Sequence, residues 1–121
     1  MTQSSTPDTG MSLDLHFRTT AYSTSGPTAA FSGDATSAGA EWHPSTFTPN
    51  ENSMSEAGTV TYDIGVSETN TATYSLTGLT KAQVVALGAM TGRYLFIRAS
   101  LKSTGFVSAA IGDIAIQYVA H

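Results

Sequence analysis

Four stretches in the second half of the chain alternate apolar and polar residues, and that period of two constrains the fold more than any other feature. In "GTVTYDIGVS", Val60, Tyr62, Ile64 and Val66 fall on one side while Thr59, Thr61 and Asp63 fall on the other. "TATYSL" repeats the pattern with Ala72, Tyr74 and Leu76. "RYLFIRASL" sets Leu95, Ile97, Ala99 and Leu101 against Tyr94, Phe96 and Arg98, and "IGDIAIQYV" sets Ile114, Ile116 and Tyr118 against Asp113, Ala115 and Gln117. Successive side chains of a strand point to opposite faces, so each stretch reads as a strand with one face toward a core.

The first half is less regular. "LDLHFR" alternates, with Leu13, Leu15 and Phe17 opposite Asp14, His16 and Arg18. "AYSTSGPTAAF" offers two short strands about a Gly26-Pro27 turn. Residues 32–40 are small and read as a flexible connection. "AEWHPSTF" reads as a strand that ends where Pro44 removes a ladder donor, and "TPNENSMSEAG" as a loop. A single helical signal lies in "LTKAQVVALG". Thr80 and Gln83 form a capping box, and Gly88 stands where a left-handed residue would end two turns beginning near Lys81. The sequence thus predicts an all-β fold, an antiparallel β-sandwich or jelly roll with one short helix near residues 81–87. Residues 1–12 are polar and aperiodic and read as an N-terminal arm, leaving 13–121 as one sandwich domain. No linker flanks the strands, so a stand-alone chain is expected.

Charged residues make up 12% of the chain, about half the share usual in soluble domains. Ser, Thr, Gly and Ala take their place, giving a surface that neighbours can approach without desolvating many ions. An ordinary Thr-rich β-domain would have the same composition. The formal net charge is -4, and the five basic residues, Arg18, Lys81, Arg93, Arg98 and Lys102, form no stripe. Nucleic-acid binding is therefore not expected. There is no cysteine, hence no disulfide framework and no thiolate site. The N-terminus lacks a basic segment followed by an apolar one, and runs such as "VVAL" and "YLFI" fall far short of a membrane span.

Searches for reactive constellations return little. "GVSET" lacks the closing glycine of a nucleophile elbow. His16, His43 and His121 have none of the spacing of a zinc motif, although His16 and His43 could meet Glu41 in space. No phosphate loop, calcium loop or carboxylate pair is recognisable, so no catalytic residue, metal or cofactor is assigned. Two residues raise sharper questions. Arg98 sits inside an apolar strand, and its alternation sends it to the solvent side, its stem over Tyr94 or Phe96 and its head available to Asp113 or Asp63. Trp42, the one tryptophan, lies beside Glu41 and His43. An exposed indole there would stack on a sugar or anchor an interface, whereas the favoured alternative has it plugging one end of the sandwich.

The stretch "TGRYLFIRASLKSTGFVSAAIGDIAIQYV" resembles a pattern in jelly-roll domains of bacteriophage virion proteins. Gly92, Arg93 and Tyr94 open one strand and Ile114, Ile116 and Tyr118 close the next; "VTYDIGVSE" upstream is similar to a middle strand of such domains. The likeness spans residues 60–119, and its matched positions are core positions, so it transfers no binding residue. It implies a non-enzymatic virion component on the outer surface of the particle: a capsid decoration (cement) subunit, commonly a homotrimer, bound to the major capsid protein or other virion subunits. Thr2 and Pro7, in the arm, would then be contact residues. The alternative expectation is a carbohydrate- or receptor-binding module of a tail, fibre or cell-surface protein, using Trp42 and Tyr22 as stacking platforms. A hydrolase is the third and weakest reading.

Overall fold

The computed structural model describes residues 11–13, 17–18, 28–52, 58–103 and 110–120. Two antiparallel sheets face each other. The first has the order β1-β9-β4-β7, with β2 also on β9; the second has the order β3-β8-β5-β6. The strands are β1 (Met11–Leu13), β2 (Phe17–Arg18), β3 (Thr28–Asp34), β4 (Glu41–Asn52), β5 (Gly58–Ser67), β6 (Leu76–Leu79), β7 (Met90–Thr91), β8 (Tyr94–Ser103) and β9 (Ala110–Val119), with α1 (Lys81–Val85) between β6 and β7. With β1 and β2 counted as two pieces of one strand, the pairing is first with last, then inward to β5 with β6. That nested pairing is the wrapping of a jelly roll.

The alternation expected in the second half places the core. Val60, Tyr62 and Ile64 of β5 and Leu95, Ile97, Ala99 and Leu101 of β8 are buried on one inner face. Trp42 and Phe47 of β4 and Ile111, Ile114 and Ile116 of β9 are buried with them. The Phe47 and Tyr62 rings meet edge to face between the layers, centroids 4.9 Å apart. β5 and β8 pair without interruption from Gly58–Ser103 to Ser67–Tyr94, so one register keeps both apolar rows inward.

Several expectations are corrected. β4 does not end at Pro44; it runs on to Asn52, taking in residues read as a loop. Its pairing with β9 shifts between His43 and Thr48, where residues 44–47 bulge. Pro44 sits inside that bulge, where no ladder donor is required. The Thr46 hydroxyl accepts from the Gln117 amide at 2.9 Å and donates to the His43 carbonyl at 2.7 Å, filling the gap in the ladder. Bulging also lets Trp42 and Phe47 point the same way despite their odd spacing. Ser32, Gly33 and Asp34 belong to β3, because each finds a partner on β8. Residues 72–75 are not a strand; the "TATYSL" stretch enters the sheet only at Leu76. The capping box is present: the Thr80 hydroxyl accepts from the Gln83 amide at 3.2 Å and the Gln83 side chain accepts from the Thr80 amide at 2.9 Å. The helix is shorter than expected, though, capped at Ala86 in a right-handed conformation, and Gly88 has no positive φ. β1 starts at Met11, inside the stretch read as an arm; the remainder of that arm, with Thr2 and Pro7, lies outside the described residues, as do Tyr22 and the Gly26-Pro27 turn.

Gly65 explains why residues 72–75 leave the sheet. A Cβ at this position would collide with the Thr73 carbonyl oxygen and stand 2.8 Å from its carbon and 3.0 Å from the Ser75 amide. The chain therefore crosses the outside of β5 at Gly65, a position with no side chain. Gly65→Ala is expected to lower the unfolding free energy by about 1–3 kcal/mol, an overpacking cost, measured by urea denaturation. A stability equal to wild type would show that residues 71–75 do not press on Gly65.

Candidate functional site on the outer face of the second sheet

Cross-strand register sets Asp63 of β5 opposite Arg98 of β8, and Ala30 of β3 on its other side. Asp63 is one of the two partners expected for Arg98; Asp113 lies on β9, in the other sheet. Both Nε and Nη2 of Arg98 donate to Asp63 Oδ2 at 2.8 Å. Asp63 Oδ1 accepts from the Gly78 amide at 2.9 Å. The guanidinium lies over the Tyr74 ring, 4.2 Å from its centroid. Tyr94 and Phe96 were the expected neighbours of the arginine stem, but the aromatic partner of its head is Tyr74. Arg98 thus ties the segment entering β6 to the sheet that the segment crosses. The ion pair keeps 39% of the arginine side chain exposed, so its net contribution is about 0.2–1 kcal/mol, with a similar amount from the ring.

Phe96 points to the same outer face yet is 5% exposed. It neighbours Gly65 in register, beneath the crossing at Thr73, and Tyr94 stacks on it at 6.5 Å. Further along, Arg93 donates from Nε to Asp34 Oδ1 at 2.8 Å and from Nη2 to Asp34 Oδ2 at 3.1 Å, a two-pronged geometry that the planar guanidinium favours. Its head also lies 4.9 Å from the Tyr94 ring centroid. Asp34 Oδ1 accepts from the Thr36 amide at 2.7 Å. Thr36 has φ 57°, a conformation costly for a β-branched residue. The Glu68 carboxylate accepts from the Gly39 amide at 3.0 Å, joining the two turns at this end. No sequence pattern announced these pairs, because Asp34 and Arg93 are brought together only by β3–β8 pairing.

Trp42 is not a ligand platform. It is fully buried, its Nε1 donates to the Gly92 carbonyl at 2.8 Å, and its ring packs on Tyr118 with centroids 4.7 Å apart. An indole with no exposed face cannot stack on a sugar, and its single donor is already used. Its neighbour His43 has a buried Nε2 without a hydrogen-bond partner among the described residues. His16 lies outside those residues, and among them no group of three His, Asp or Glu side chains gathers as a metal would require. No described helix is long and apolar enough to cross a membrane.

What the outer face offers is two arginines held in place, each beside a tyrosine ring, and both half-exposed. Neighbouring positions are small and hydroxylated: Ser32, Thr61 and Ser100. Such a face suits contact with a protein surface better than proton transfer, since Arg and Tyr supply rigid contact area. No family model, curated protein or solved structure matches this chain.

The Arg93 guanidinium beside Asp34, and then the Thr36 amide, hold the Asp34 carboxyl below its ordinary 3.8. A carboxyl depressed in the folded state adds stability above its unfolded pKa and loses it as pH falls through the folded one. The stability gap between wild type and Asp34→Asn should therefore be constant down to about pH 5 and shrink below it. Urea titrations at a series of pH values measure that gap, and a gap unchanged through the acid range would contradict the pairing.

Proposed function

We propose that this chain is a structural subunit of a bacteriophage particle, a decoration protein that binds the outer shell and stabilises it by bridging other subunits. The observation that carries the reading is the nested jelly-roll pairing of the described strands, an architecture that viral capsid domains use repeatedly. The likeness of residues 60–119 to phage virion domains falls on β5, β8 and β9, three of the strands that build its core. Fold alone does not dictate function, and the surface adds the second support. The Arg93–Asp34 and Arg98–Asp63 ion pairs are spent on holding the sheet's own turn and crossing segment. What remains outward is largely hydroxyl and backbone, suited to burial against another subunit at low desolvation cost. Many copies on one symmetric shell would let weak contacts sum.

Jelly rolls also serve as lectins; of the two stacking platforms named for the sugar-binding alternative, Trp42 is buried in the core and Tyr22 lies outside the described residues.

Imaging purified particles made with and without this protein tests the proposal. Density at symmetry-related outer positions, lost together with the protein, is the expected result. Particles that lack the chain when it is present in the cell would refute it.

A further inference from the structure

Of the five strands at sheet edges among the described residues, four are poor templates for another strand. β1 has 3 residues, β2 and β7 have 2 each, and β6 has 4 with Gly78 at φ 68°. β3 differs. It has 7 residues, pairs with β8 at every position without a shift, and has no other partner strand among the described residues. It contains no proline, no lysine and no bulge, the devices by which edges are usually protected. Its one charge, Asp34, stands at the end and is engaged by Arg93.

The direction of its free backbone groups follows from one hydrogen bond. The Ala35 amide donates to the Arg93 carbonyl at 2.9 Å, continuing the β3–β8 register. In an antiparallel ladder such pairs alternate, so Ala29, Phe31 and Gly33 bond to β8. The amides and carbonyls of Thr28, Ala30, Ser32 and Asp34 face away from it.

We infer that β3 is a self-association edge, pairing antiparallel with β3 of a second copy about a two-fold axis at Phe31. In that register Ala30 stands opposite Ser32 of the other copy, and Thr28 opposite Asp34. Every outward amide and carbonyl is used, whereas a slip of two positions leaves one end unpaired. No like charges meet, and the facing outer residues are small. A two-fold axis makes the contact self-complementary and closed, so it ends at a dimer. The inference stands apart from the phage reading; either can fail alone.

Charge exchange tests it. Ala30 and Ser32 are exposed on the outer face, so Ala30→Lys/Ser32→Lys and Ala30→Glu/Ser32→Glu should fold, as near-wild-type circular dichroism would show. Sedimentation should give wild type at twice the 12.6 kDa chain mass, each charged variant at the chain mass, and their equimolar mixture at the doubled mass again, because like charges opposite one another repel and opposite charges attract. Amide exchange at Ala30 and Ser32 should slow with wild-type concentration. A wild type that stays monomeric, or has those amides protected at every concentration because its own chain covers β3, overturns the inference. So does a trimer, or a dimer that survives the lysine pair.

Discussion

The structure depends on apolar contact between two sheets that present their buried rows in register. Tyr62, Ile64, Ile97 and Leu101 from one layer meet Trp42, Phe47, Ile111 and Ile114 from the other, all nearly without exposure. Burial of side chains this size contributes roughly 1.5–3 kcal/mol each, while the exposed ion pairs contribute a fraction of that. The outer faces can therefore carry strained turns and paired arginines without deciding whether the chain folds. Trp42 ties this core to one end of the molecule through the Gly92 carbonyl, and at that end lie the Asp34–Arg93 pair and Thr36.

Interior and exterior have distinct chemistry as a result. Inside, polar atoms are few and Trp42 Nε1 is satisfied. Outside, arginines act as fasteners: Arg98 holds the segment that crosses Gly65, and Arg93 holds the turn after β3. Each is stacked against a tyrosine, so the face they build is rigid as well as polar. Rigid aromatic and guanidinium groups lose little freedom on contact with a partner, in keeping with a role in assembly.

Much of this was legible in the chain. Strands β5, β8 and β9 could be read because strict alternation survives in them, and α1 because a capping box is local. The inward placing of Ile97 and Ile116 and the outward placing of Arg98 followed directly. What could not be read depends on contacts between distant segments. β4 hides its length because a bulge at residues 44–47 breaks the period of two and two prolines, Pro44 and Pro49, argue against a strand. β3 looked like a loop at Ser32 and Gly33, whose small side chains give no apolar signal. Residues 72–75 alternate like a strand, but the missing side chain at Gly65 draws them across the sheet instead. Trp42 was open to two readings from its neighbours, and burial decides between them.

That indole offers the most direct measurement, since it is the only tryptophan and sits where the two layers and the Gly92 turn converge. Acrylamide quenching of its fluorescence, compared with the urea-unfolded chain, reports its exposure. The account predicts blue-shifted emission and quenching several-fold weaker than in the unfolded state. Emission and quenching equal to the unfolded chain would mean that Trp42 faces water, and that the layered core described above does not exist.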